Sequence, residues 1–140
     1  MKKLLSILLA AMLIVCCFGM VGCGVSGKYE LWAIEVDGEV YKDGDTIEVT
    51  IYGQKVEKEF DEWVKGYKEY NLDSLKLDKD GDAKFLGYSD WEWEKDGKEI
   101  TLEASGSSVE LIKKGGKLRF DVSQFIDYFE EDVVFIYKKA

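Results

Sequence analysis

Three groups of side chains in this 140-residue sequence are of types and spacings that could do chemistry. Asp78-Lys79-Asp80-Gly81-Asp82 gathers the carboxylate oxygens that a hard cation requires. Glu92 and Glu94 form a carboxylate pair of the kind that glycosidases set about 5–10 Å apart across a scissile bond. The aromatic residues Trp91, Trp93, Phe85, Tyr88 and Phe120 could line an apolar cavity. The first group fails on spacing. A calcium loop of the EF-hand type wants glycine sixth and glutamate twelfth, whereas Gly81 is fourth and Ser89 twelfth. Lys-Asp-Gly also recurs at Lys42-Asp43-Gly44 and Lys95-Asp96-Gly97, as expected of solvated hairpin turns. The carboxylate pair alternates with Trp91 and Trp93, which assigns both acids to the solvent face, and with 28 acids in the chain such a spacing arises by chance. There is no histidine and no proline, and only three cysteines are present. His-based triads, structural zinc and haem ligation are excluded. The expectation is a protein that is not an enzyme and carries no metal and no cofactor.

Two of the cysteines, Cys16 and Cys17, lie in an N-terminal segment with its own logic. Met1-Lys2-Lys3 is a positive start, Leu4 to Val21 is an apolar run, and Gly22-Cys23 closes it. This segment resembles a bacterial lipoprotein signal. The resemblance implies cleavage before Cys23, acylation of its thiol with diacylglycerol, and a mature chain of 118 of the 140 residues. Two or three acyl chains, at roughly 0.8 kcal/mol per buried CH2, make a stable anchor. An uncleaved transmembrane helix is the alternative, because the apolar run nearly reaches the ~20 residues that span a bilayer. Both readings put the domain on the extracytoplasmic face of a bacterial membrane. The organisation is thus residues 1–22 as signal peptide, 23–27 as lipidated cysteine and tether, and 28–140 as one folded domain. The formal charge is −9, and loss of Lys2 and Lys3 takes it to −11. Nucleic acid is not an expected partner, since phosphate binding needs a basic stripe. A surface this acidic should be repelled by anionic lipid, so attachment to the membrane is expected to be covalent, through Cys23. No protein partner is indicated.

The elements that must position the aromatic residues are short strands. Turn signals at Asp37-Gly38, Asp43-Gly44, Asp80-Gly81, Asp96-Gly97 and Gly115-Gly116 punctuate the mature chain, as in an antiparallel all-β meander. Strands are expected at about residues 28–36, 46–52, 74–77, 83–87, 91–94, 99–104, 108–113, 117–122 and 132–138. A two-residue turn at Asp96-Gly97 would set Trp93 opposite Ile100 and Trp91 opposite Leu102. The turn at Gly115-Gly116 sets Leu111 opposite Phe120 and Val109 opposite Val122. A three-residue loop, Lys79-Asp80-Gly81, pairs Leu77 with Ala83 and Leu75 with Phe85. The first and last strands are apolar on both faces, which favours their pairing to close a barrel with a helix laid over the seam. Val56, Phe60, Trp63, Val64, Tyr67 and Tyr70 share one stripe at 3.6 residues per turn and supply that helix. Residues 123–130 are a candidate second helix with Ser123 as its N-cap.

The cysteine after the signal, Gly27-Lys28-Tyr29 opening the first strand, the turn Glu35-Val36-Asp37-Gly38-Glu39, and the closing Phe135-Ile136-Tyr137-Lys138-Lys139 together resemble bacterial lipocalin-like domain lipoproteins. The resemblance implies an all-β, up-and-down barrel of about eight or nine strands with one helix, able to hold an apolar pocket. Members of that group mostly lack an assigned activity. Two functional expectations follow. A binding module would hold a small apolar or amphiphilic ligand against Trp91, Trp93, Phe85, Tyr88 and Phe120. An envelope interaction or scaffold protein would have these residues filling the barrel. A carboxylate-based hydrolase comes third.

Overall fold

The computed structural model describes residues 25–140. The signal segment and Cys23 lie outside the described residues. Among those described there are eleven strands: β1 (Gly27–Val36), β2 (Glu39–Tyr41), β3 (Thr46–Ile51), β4 (Gln54–Glu59), β5 (Ser74–Leu77), β6 (Asp82–Phe85), β7 (Tyr88–Asp96), β8 (Glu99–Ala104), β9 (Ser107–Lys114), β10 (Lys117–Asp121) and β11 (Val133–Lys139). An α-helix, α1 (Phe60–Lys68), follows β4. Eight strands close an antiparallel barrel in the order β1, β5, β6, β7, β8, β9, β10, β11, with β11 returning to β1. Closure removes the edges of the main sheet, and β2 extends it on one side of β1. The all-β meander, the pairing of the terminal strands and the single helix agree with the sequence.

Strand β1 makes closure possible because it is long enough to serve three partners. Gly27 to Glu30 pair with β5, Ile34 to Val36 pair with β2, and β11 runs along the other edge. Its register against β11 shifts between Leu31 and Ala33, so Trp32 is an extra residue in a bulge. A bulge exchanges the faces of a strand. Tyr29 and Leu31 precede the shift and Ile34 and Val36 follow it, yet all four are buried. The double-faced apolar pattern of this strand is therefore largely a single interior face read across a bulge.

The interior is occupied by side chains. Phe85, Phe120, Tyr137, Ile100, Leu102 and Leu111 are each at most 2 % exposed. Phe85 meets Phe120 edge to face at 5.2 Å and Tyr137 at 6.0 Å, the geometry that ring quadrupoles favour. Two of the three hairpin registers match expectation over the paired residues. Leu77 faces Ala83 with Gly81 at φ +98°, and Leu111 faces Phe120 across Gly115-Gly116. The third is displaced by two residues. Asp96 pairs with Glu99, the turn is Gly97-Lys98, and Trp93 faces Leu102 rather than Ile100. Gly97 takes the left-handed φ of +67°, which Asp96 would adopt less readily. A shift of two keeps every side chain on its own face, so the core is unaffected.

The insertion between β1 and β5 departs most from expectation. Val56 belongs to β4, not to the helix, and faces Val49 across the β3–β4 hairpin. The helix starts at Phe60 because the Glu62 carboxylate accepts from the Glu59 amide at 3.2 Å, a capping contact that ends the strand. Its buried residues Phe60, Trp63 and Tyr67 cover the end of the barrel where β1 and β11 meet, with Tyr67 5.2 Å from Phe135. The second helix is not formed. Residues 122–124 make a single 3-10 turn, and Asp121, not Ser123, caps it by accepting from the Ser123 amide at 3.0 Å. Val122 thus leaves β10, and its pairing with Val109 does not occur.

Candidate functional site

The five aromatic residues singled out in the sequence divide into three settings. Phe85, Phe120 and Trp91 are brought together in the interior, at 2 %, 0 % and 4 % exposure. The Trp91 indole N–H donates to the Phe85 carbonyl at 2.9 Å, so its one polar atom is satisfied and the rest packs. Trp93 lies at the rim and is half-buried, its indole N–H donating to the Asp78 carbonyl at 2.8 Å. It braces the loop between β5 and β6. Tyr88 is a correction to the expected set. It is 63 % exposed, at the first position of β7 beside the Leu86-Gly87 turn, and does not join the interior.

Where the cap meets the barrel, a void of about 10 Å³ remains among Ile34, Ile47, Trp63, Tyr67, Phe129 and Phe135, too small for an organic ligand. The larger concavity is outside. A groove of about 390 Å³ is lined by Asn71, Ser74, Lys84, Phe85, Leu86, Gly87 and Tyr88. Its walls come from the residues after α1, from β5, and from the tip of the β6–β7 hairpin. That tip is a two-residue turn in which Leu86 and Gly87 both have positive φ, +56° and +81°. Turns of this kind prefer Asn-Gly or Asp-Gly, and leucine is strained there. Asn71 opposite is also left-handed, at φ +56°. A Cβ at Gly87 would lie 2.9 Å from Asn71 Nδ2, the movable end of a side chain, and it is the φ of +81° that favours glycine there. Three left-handed residues, Leu86, Gly87 and Asn71, thus converge on a single groove, as functional surfaces often require.

The groove offers the Lys84 ammonium, the Asn71 amide, the Ser74 hydroxyl and the Tyr88 phenol beside the apolar Leu86. Among the described residues no carboxylate lines it, in a chain with 28 of them. Such a set can hold the polar or anionic end of an amphiphile by hydrogen bonds while Leu86 and Tyr88 receive its apolar portion. Among the described residues there is no group of three or more carboxylates, histidines or cysteines placed to hold a metal, and no charged side chain is buried. Glu92 is exposed and sits across from Asp82 and Glu103 in neighbouring strands. Sequence reading reached Phe85 and Tyr88 but missed Asn71, Ser74, Lys84, Leu86 and Gly87. The expected strand over 83–87 ran through Leu86-Gly87, which the structure instead makes the turn between β6 and β7.

Other polar atoms are tied into the fold. Arg119 and Glu35 form a bidentate pair at 3.0 and 2.8 Å, and the guanidinium holds the Glu35 carboxyl below the usual carboxylate range. The Tyr67 and Tyr128 hydroxyls share a hydrogen bond at 3.0 Å, and burial raises the Tyr67 phenol well above its ordinary value. Tyr137, wholly buried, donates from its hydroxyl to the Leu72 carbonyl and is likewise raised by desolvation. Closed antiparallel geometry, eight strands and one helix make the architecture consistent with a lipocalin-like fold. No protein-family model, curated protein or solved structure matches the chain.

Proposed function

We propose that this is a non-catalytic, lipid-anchored extracytoplasmic protein whose barrel is a filled body and whose binding surface is the outer groove beside Leu86. The observation that carries this reading is the occupied interior: the aromatic residues that would line an internal pocket pack edge to face on one another. An eight-stranded barrel has room for side chains or for one small ligand, and here the side chains take that room. The groove's chemistry supports an amphiphilic ligand with its polar end at Lys84 and Asn71. The anchor rests on the signal pattern and on Cys23.

Native against denaturing mass spectrometry of the chain from Gly24 onward tests the filled body. The buried Trp91 should stay unquenched by fatty acids, and any extra mass lost on denaturation should disappear in Lys84→Glu, which alters the groove. An extra mass that Lys84→Glu retains would move the ligand back inside the barrel. The anchor is tested by Cys23→Ala, which should release a folded domain from membranes. Continued membrane fractionation as an unprocessed precursor would favour the uncleaved helix instead.

A further inference from the structure

The antiparallel meander sorts the chain's charge along the barrel axis. The starts of β1, β6, β8 and β10 and the ends of β5, β7, β9 and β11 lie at one end, through residues 27–30, 76–84, 94–99, 113–117 and 138–140. Those segments hold eleven lysines against seven carboxylates, and the remainder of the mature chain holds six cations against twenty-one carboxylates. A protein of strongly negative net charge therefore has one basic end. Two rows of directly opposed lysines build it. Lys28 faces Lys76, which faces Lys84, and Lys138 faces Lys117, which faces Lys114. Like charges directly opposite on neighbouring strands destabilise a sheet. Lys76 has Asp78 at 3.5 Å, and Glu30 stands across from Lys138. Lys28, Lys84, Lys114, Lys117 and Lys138 have no carboxylate at ion-pair distance among the described residues.

Two further observations point to what this end meets. Lys117, Lys42 and Lys138 set their ammonium groups 4.7, 4.8 and 5.8 Å from the centre of the Trp32 ring, which puts an amphipathic indole among the cations. Tryptophan beside lysine is the residue pairing found at the headgroup level of membranes. The chain also enters the barrel here. Val25 is buried, and its carbonyl accepts from the Tyr29 hydroxyl, which fixes the start of the described chain at this end of the barrel.

We propose that the tether end of the barrel is a docking surface for anionic phospholipid headgroups, with the two lysine rows as its contacts, so that the anchored domain stands with its basic end on the bilayer and its acidic cap away from it. The expectation that so acidic a protein is repelled by anionic lipid holds for the net charge and fails for this end. Headgroup phosphates add counter-charge to rows in which only Asp78 beside Lys76, Glu30 across from Lys138 and Glu35 near Lys114 oppose the lysines, at separations below the Debye length of about 8 Å at physiological salt. The orientation rests on the lipid-anchor reading; the headgroup contact does not.

The full chain, purified with its anchor and reconstituted into vesicles, tests this by lysine acylation with a membrane-impermeant reagent and mass readout. In vesicles of about half phosphatidylglycerol, Lys28, Lys114 and Lys117 should acylate roughly fivefold more slowly than in pure phosphatidylcholine, and about 0.5 M NaCl should abolish the difference. Lys55, Lys58 and Lys65 at the cap should react equally in both. The triple reversal K114E/K117E/K138E should lose the protection, and K55E/K58E/K65E should keep it. Equal protection in both lipids, or protection that survives salt, would overturn headgroup recognition and leave only proximity through the tether. Protection in intact cells that vesicles do not reproduce would overturn the lipid assignment in favour of an anionic wall polymer. The mass of the Cys23 peptide reports acylation independently, so failure of the anchor and failure of the docking surface are read separately.

Discussion

From Ser74 to Lys139 every strand of the barrel pairs with the strand before or after it, whereas the insertion from Glu39 to Asp73 sends a separate hairpin and a helix across one end. The body is held by continuous ladders and a packed interior. The cap joins the same core by buried side chains, Ile47, Val49, Phe60, Trp63, Tyr67 and Leu72, and by scattered bonds rather than a ladder: the Tyr67–Tyr128 hydrogen bond, the pairing of Ile51 with Phe129, and the Thr50 amide on Glu131 at 2.8 Å. The difference in continuous pairing predicts that the cap opens at lower free energy than the body.

The largest effect should come from breaking the body. Phe120→Ala removes a fully buried ring from the centre of the aromatic packing and should cost about 3–5 kcal/mol, seen as a lowered denaturant midpoint with cap and body unfolding together. Trp63→Ala should separate the two. The indole is buried, stacks on Tyr67 at 6.2 Å and meets Phe129, so its loss should open the cap by about 2–3 kcal/mol. Amide hydrogen exchange would then accelerate over residues 46–72 while β8 to β11 keep their protection. Equal acceleration in both regions would show that no separate unit exists.

The same comparison explains what was legible in the sequence. The body obeys period-two alternation and places glycine where its turns need positive φ, so Leu77 with Ala83 and Leu111 with Phe120 could be paired from the residues alone. The cap has no such redundancy. Gln54 to Glu59 is a strand of polar and charged residues whose one inward position is Val56, and a helical stripe drawn through Val56 fits equally well. The bulge at Trp32 hid in the same way, since an apolar residue on each face looks like double burial until the partner strand is known. The groove was illegible because Asn71 and Gly87 approach only through tertiary structure, and the basic end because alternating strand direction, not sequence proximity, gathers its lysines.

Acid should act on the body through Glu35, across from Val134 on β11 and clamped by Arg119 of β10. Its carboxyl is held below the usual range, so the pair contributes stability at neutral pH that is lost as the pH falls through the lowered value and the carboxylate protonates. Glu35→Gln should therefore cost about 1 kcal/mol at pH 7, and the difference from the unsubstituted protein should close at acidic pH. Denaturant titrations at pH 7 and pH 3 would read it. A gap that stays constant between them would mean that shape, not charge, is what Glu35 supplies.

The smallest effect belongs to the tip of the cap. Tyr52 is 80 % exposed with φ +49°, a left-handed position at which a side chain larger than Asn is strained, followed by Gly53 in the same region. What it gains in return is one ring contact with Tyr128 at 5.8 Å. Relief of left-handed strain is worth about 1 kcal/mol, and an exposed aromatic contact about half of that. Tyr52→Asn should then stabilise the hairpin by about 0.5 kcal/mol, measurable as slower exchange of the β3 and β4 amides with the body unchanged. A loss of protection would mean that the Tyr52–Tyr128 contact outweighs the strain, and that the cap is closed from its tip rather than from its helix.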